Sequence, residues 1–108
     1  MVDTALKAIA EPRRREILRI VWSEELTASE IAAQVSSVTR SAVSQHLGVL
    51  RTARLVVERR DGTRRYYRAN HAEMQSVRDY LGQFWASGLD RLRDAAEASE
   101  RTKEQRSG

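Results

Sequence analysis

Two helix-start signals stand at Thr27 and Thr39, and the space between them admits only a short helix and a tight turn. In Thr27-Ala28-Ser29-Glu30 the threonine hydroxyl can accept from the Glu30 N–H while the Glu30 carboxylate reaches back to the cap residue, a capping box. The spacing predicts a helix over Thr27–Val35 that buries Ile31, Ala32 and Val35. Ser36-Ser37-Val38 interrupts this pattern, and Thr39 offers a second N-cap. A further helix is expected from about Arg40 to Ala53, with Val43, Leu47 and Leu50 at i, i+4 and i+7 as its inward stripe.

At about 100° per residue, the opposite side of that helix carries Ser41, Ser44, Gln45, Gly48 and Thr52, flanked by Arg40 and Arg51. A helix-turn-helix unit of this kind meets the needs of base reading: short donors and acceptors aimed at base edges, with cations beside them for the backbone. Gln45 is the most informative candidate, because its amide can engage adenine bidentately, and Gly48 would allow close approach. The bland alternative is a solvated helix face, a common pattern.

Leu55–Arg60 and Thr63–Arg68 bracket Asp61-Gly62, a dipeptide that favours a tight type I′ hairpin. That loop predicts the register: Arg60 opposite Thr63, Arg59 opposite Arg64, Glu58 opposite Arg65, Val57 opposite Tyr66 and Val56 opposite Tyr67. Like charges across strands repel, so the expected Arg59 and Arg64 pair calls for a counter-anion, and a phosphate would supply it. The arginines could instead protect an exposed edge from aggregation. Tyr66 and Tyr67 are read as packing residues under the hairpin.

Before these elements, Leu6 and Ile9 mark a short first helix, and Pro12 can open a second because its missing N–H costs nothing at the first helical position. Ile17, Leu18, Val21 and Trp22 recur at helical spacing on its expected inner side. After the hairpin, Asn70 and Glu73 signal a last helix along which Met74, Val77, Leu81, Phe84, Trp85, Leu89 and Leu92 run at three- and four-residue steps. That is more apolar surface than so small a domain can cover, the mark of an interface. The fold expected is mostly α, five helices with a two-stranded β-hairpin. One domain spans residues 1–96, and the polar stretch 97–108 is read as a frayed, disordered tail.

Composition narrows the function. The net charge is +4 over 108 residues, and Lys7 and Lys103 are the only lysines among 19 cations. Arginine suits bidentate contact with phosphate and guanine, and seven arginines lie between Arg51 and Arg68 against Glu58 and Asp61. There is no cysteine, which excludes disulfides and thiolate metal sites. No apolar run approaches the ~20 residues of a membrane helix, and Met1–Arg15 lacks the apolar core of a secretory signal, so a cytoplasmic location is expected. Ser41, Ser44 and His46 lie along one helix without a nucleophile turn, and no cofactor fingerprint occurs, so no enzyme and no cofactor are expected. A rival class is a helical interaction module whose arginines face an acidic partner protein.

The runs Ala8-Ile9-Ala10-Glu11-Pro12-Arg13-Arg14-Arg15-Glu16-Ile17-Leu18, Leu26-Thr27-Ala28-Ser29-Glu30-Ile31-Ala32, Ser41-Ala42-Val43-Ser44-Gln45-His46-Leu47-Gly48-Val49-Leu50 and Gly62-Thr63-Arg64-Arg65-Tyr66-Tyr67 resemble the ArsR-type family of small winged-helix repressors. The likeness covers about residues 5 to 95. It implies a homodimer on a pseudo-palindromic operator in double-stranded DNA, released by a signal that the residues do not reveal. The DNA contacts expected from the helix face and the hairpin arginines are Thr39, Arg40, Ser41, Ser44, Gln45, His46, Arg51 and Thr52, with Arg59, Arg60, Arg64 and Arg65 on the wing. The resemblance tilts His46 toward DNA. It also implies a dimer seam from the first and last helices, through Leu6, Ile9, Leu81, Phe84, Trp85, Leu89 and Leu92. Many relatives sense metals through cysteines or paired Asp/His and His/Glu motifs. This chain departs from both patterns, with His46 and His71 its only histidines, too few ligands for zinc. No metal site is expected, which points to a branch that does not sense metals. His71 is read as a surface residue of the first turn, and His46 as either an internal hydrogen-bonding group or a DNA contact.

Overall fold

The structure is a computed structural model that describes residues 2–35 and 37–107, with side chains through Thr102. Its elements run α1 (Val2–Ile9), α2 (Pro12–Ile20), β1 (Leu26–Thr27), α3 (Ala28–Gln34), α4 (Arg40–Thr52), β2 (Val56–Asp61), β3 (Arg64–Ala69) and α5 (His71–Ser107). The chain forms two compact units, one up to Val77 and one from Arg78 onward.

Local chemistry explains the helix ends. Pro12 occupies the start of α2, and the Glu11 side chain caps it by accepting from the Arg14 N–H at 3.0 Å. The Thr27 capping box is complete: its hydroxyl accepts from the Glu30 N–H at 3.2 Å, and the Glu30 carboxylate accepts from the Thr27 N–H at 3.1 Å. These bonds outweigh a slight desolvation and hold Glu30 below the usual glutamate pKa. Thr39 caps α4 by accepting from the Ala42 N–H at 3.0 Å. The far end of α4 closes as a Schellman motif, with Leu55 N–H on the Leu50 carbonyl and Arg54 N–H on that of Arg51, both at 2.9 Å. Arg54 supplies the left-handed residue there, at φ 64.

The core of the first unit draws on α2, α3, α4 and the hairpin. Ile17, Val21, Ile31, Val43, Leu47, Leu50, Leu55 and Val56 are its largest fully buried side chains, and no polar residue is buried with them among the described residues. Each such aliphatic side chain contributes roughly 1.5–3 kcal/mol of transfer free energy. The inward stripe of α4 is therefore as expected. Trp22 is not part of it: the indole is 40 % exposed and packs its ring on the His71 imidazole, centroids 4.5 Å apart.

Two expectations about the sheet are corrected. It has three strands in the order β1-β3-β2, because Leu26 and Thr27 pair with Tyr67 and Tyr66. The hairpin also turns one residue later than predicted. Asp61 pairs with Arg64 and Arg60 with Arg65, followed by Arg59 with Tyr66, Glu58 with Tyr67, Val57 with Arg68 and Val56 with Ala69. The loop is Gly62-Thr63, with positive φ at Gly62 (63°) but not at Thr63. This is the type II′ pattern, which places the positive angle on the residue without a Cβ, whereas a type I′ loop would have required it of Asp61 too. Every partner moves by two positions, so the alternation of faces is kept.

In the second unit α5 continues as helix through the charged residues after Glu97 to Ser107. Phe84 and Trp85 are 61 % and 71 % exposed, and Leu81, Leu89 and Leu92 are exposed too. Tyr80 and Phe84 meet edge to face, centroids 5.1 Å apart.

Candidate nucleic-acid interface

The outward side of α4 is built as its spacing predicts. Ser41, Ser44, Gln45 and Thr52 are exposed beside Arg40 and Arg51. The side chains of Ser41, Ser44 and Gln45 have no hydrogen-bond partner among the described residues. Thr52 donates its hydroxyl to the Gly48 carbonyl at 3.0 Å, so its donor is used within the helix. A Cβ at Gly48 would meet nothing within 4 Å, so that turn of the helix is open to a close neighbour. Thr39 spends an acceptor lone pair on its cap but keeps its hydroxyl proton free of any partner seen.

The starts of α3 and α4 and the turn end of the hairpin line a cleft of about 590 Å³, with Thr27, Ser29, Glu30, Arg40, Ser44, Thr63, Arg64 and Arg65 among its residues. Guanidinium groups from two elements line it with hydroxyls, groups that can take a phosphate, beside the Glu30 carboxylate, which would oppose one. Thr27, Ser29 and Thr63 were not expected at the site. The first two read as capping chemistry and the third as a strand residue, and only the pairing of β1 with β3 brings them to the cleft.

The wing arginines are not opposed as expected. Arg59 faces Tyr66 instead of Arg64, lies 4.7 Å from the Tyr66 ring centroid, and grips Glu25 with contacts of 2.6 and 2.9 Å. That bond, against a smaller desolvation, holds the Glu25 carboxyl below its ordinary value. The like charges that do stand opposite each other are Arg60 and Arg65, and both approach Glu58, at 3.5 and 3.6 Å. Glu58 also accepts from Arg51 in the last turn of α4, and its side chain is only 11 % exposed. Partial burial raises the Glu58 pKa, and the three guanidinium groups reverse that and leave it lowered. The counter-anion inferred for the hairpin is thus already present as a carboxylate. Arg64 has no carboxylate partner within ion-pair distance among the described residues and lines the cleft.

His46 is half-buried, with Nδ1 3.4 Å from Arg14 Nη1. His71 bonds the Trp22 carbonyl through Nε2 at 2.7 Å. Among the described residues no group of three or more His, Cys, Asp or Glu side chains could hold a metal ion, and no helix is long and apolar enough to cross a membrane. Leu6 and Ile9 are partly buried against the core.

The pattern described as "Bacterial regulatory protein, arsR family" matches residues 11–57, from the cap of α2 into β2. The chain is 41% identical over 87 residues to the HTH-type transcriptional regulator Rv2034 of Mycobacterium tuberculosis, covering 81% of this chain and 80% of that protein. The chain belongs to the arsR family of bacterial regulatory proteins. It is 29% identical to the transcriptional repressor SdpR of Bacillus subtilis, covering 81% of this chain and 96% of the repressor. Among solved structures, the homodimeric winged helix-turn-helix DNA-binding domain Mb0332 of Mycobacterium bovis superposes with a TM-score of 0.64 at 31% identity, over 80% of this chain and 78% of that one. As an arsR-family member the chain is a winged helix-turn-helix transcriptional regulator and not an enzyme, with α3–α4 as the helix-turn-helix and β2–β3 as the wing.

Proposed function

We propose that this arsR-family regulator is a homodimeric repressor that reads a pseudo-palindromic operator with the outward face of α4. The single observation that carries the reading is that face: Ser41, Ser44 and Gln45 are exposed and unpartnered, next to a cleft edged by Arg40, Arg64 and Arg65. Base-edge contacts would come from Ser41, Ser44 and Gln45, and backbone contacts from Thr39, Arg40, Arg51 and Thr52 on the helix and Arg59, Arg60, Arg64 and Arg65 on the wing. Repression has the support of the resemblance to a named repressor.

Dimerisation has the support of the homodimeric relative and of the exposed Leu81, Phe84, Trp85, Leu89 and Leu92 on α5, apolar area that a second copy would remove from water. Leu6 and Ile9 on α1 would extend the seam. A twofold dimer would present its two reading helices about 34 Å apart, one turn of B-DNA. The regulator is proposed to work in the cytoplasm without a bound metal, given the poor donor set.

The test is binding of the full chain to its own promoter and to a scrambled duplex, titrated with salt, with and without a chelator, together with a promoter–reporter assay. Tight, salt-sensitive, chelator-insensitive preference for the promoter is expected, with reporter output falling as the protein is supplied. Equal affinity for both duplexes would reduce the chain to a non-specific DNA binder, and a rise in reporter output would reverse the sign of regulation.

A further inference from the structure

One cluster beneath the reading helix is not used by the contacts proposed above. Arg14, in the first turn of α2, turns its side chain across the end of α1. Its Nε donates to the Ala8 carbonyl at 2.6 Å and its Nη2 to the Lys7 carbonyl at 3.3 Å. These are last-turn carbonyls, at the negative end of a helix. The remaining nitrogen, Nη1, lies 3.4 Å from Nδ1 of His46 on α4. A guanidinium has donors only, so in a hydrogen bond between the two His46 Nδ1 is the acceptor.

The placement bears on reading because α4 has few directional ties. Its inner stripe of Val43, Leu47 and Leu50 packs apolarly, and such contacts are non-directional. Among the described residues, its side-chain polar links to other elements are Arg14 to His46 near its middle and Arg51 to Glu58 at its end. His46 directly follows Ser44 and Gln45. A group that must meet a base edge has to be held to roughly 0.5 Å and 10–20°, and the Arg14 fork is rigid enough to transmit that constraint.

We infer that Arg14 is a positioning residue for DNA reading: it ties the end of α1 to the imidazole of His46 and so sets the pose in which α4 offers Ser44 and Gln45 to a duplex. The inference rests on the operator-reading function proposed above. Arg14 acts through His46 and touches no base.

The probes are a duplex enriched by the wild-type full chain from a random-sequence pool and a scrambled duplex of the same composition. Discrimination is the ratio of the two affinities. Arg14→Ala should lower discrimination about tenfold while leaving the salt slope for the scrambled duplex unchanged. A phosphate ligand would instead lose about one from that slope and weaken both duplexes alike, and that result overturns the inference.

Arg14→Lys should fail to restore discrimination, because one ammonium cannot span three acceptors on two helices. His46→Ala removes only the α4 end of the link and keeps Arg14 on α1, so it decides the matter if Arg14→Ala does not fold. It should cost discrimination by a similar factor. His46→Asn, whose Oδ1 can accept where Nδ1 did, should keep most of the discrimination that His46→Ala loses. Discrimination in His46→Asn no better than in His46→Ala, or full discrimination in both alanine variants, overturns the positioning role while leaving operator reading intact. A wild-type chain for which no enriched duplex is discriminated overturns operator reading and the inference together.

Discussion

The outward face of α4 and the wing both present polar groups to solvent, yet they are in opposite states of satisfaction. On α4, Ser41, Ser44 and Gln45 have nothing to bond among the described residues. On the wing, Arg59 is held by Glu25, and Arg60 and Arg65 share Glu58 with Arg51. The difference separates two jobs. The helix face is ready as built, since its neutral side chains have no partner among the described residues to leave before they could meet a base edge. Arg59, Arg60 and Arg65 must leave a carboxylate before they can take a phosphate, so their contribution is a difference between two ion pairs. Surface ion pairs are weak in water, which makes such an exchange feasible. On the function proposed above, specificity would belong to α4, and adjustable, sequence-blind affinity to the wing.

The two sides of α4 give the sharpest way to break this division. Leu47→Ala, on the buried side, should lower unfolding free energy by about 2–5 kcal/mol, measured by urea denaturation, with loss of binding to every duplex. Gln45→Ala, on the exposed side, should leave the urea midpoint within about 0.5 kcal/mol of wild type and cost ~1–3 kcal/mol of preference for operator over scrambled DNA. If Gln45→Ala weakens both duplexes equally, α4 is not the reader. On the wing, Arg64→Ala should do what Gln45→Ala must not: weaken all sequences alike and reduce the magnitude of the salt slope by about one. A change in sequence preference from Arg64→Ala would move part of the reading to the wing.

The same contrast marks what was legible in the residues. Helix positions came through because their causes are local: the Thr27 capping box, the Thr39 cap, Pro12 at a first turn and the Val43, Leu47, Leu50 stripe each act within a few residues. The exposed set on α4 followed from that stripe by geometry. The wing was legible as a hairpin but not in register, since Asp61-Gly62 and Gly62-Thr63 both offer two-residue loops and the choice turns on which residue bears positive φ. Strand β1 is two residues long and doubles as the cap of α3, so no periodicity announces it. Glu25 as the partner of Arg59, and Arg14 as that of His46, are contacts across 34 and 32 residues that no local pattern encodes. The counter-anion was expected for Arg59 opposite Arg64, a pair the register does not form; Arg60 stands opposite Arg65 instead, and both approach Glu58.

The smallest effects test whether the wing carboxylates restrain DNA binding. Glu25→Gln and Glu58→Gln keep side-chain size and remove the charge, freeing Arg59 in one case and Arg51, Arg60 and Arg65 in the other. Each should raise affinity for scrambled duplex a few-fold and steepen the salt dependence, measured by fluorescence anisotropy, with Gln45-dependent preference unchanged. Acid should act in the same direction on the wing. Both carboxyls are held below their usual value in the folded chain, so they stabilise the fold above the unfolded glutamate value of about 4.3 and lose that contribution as pH falls through their lowered values. Wild type should therefore lose stability below about pH 4.3, and the double variant Glu25→Gln/Glu58→Gln should lose less over the same interval. If the variants instead bind scrambled DNA more weakly than wild type, the carboxylates hold the arginines in place for phosphate. The wing would then be as preorganised as the helix it accompanies.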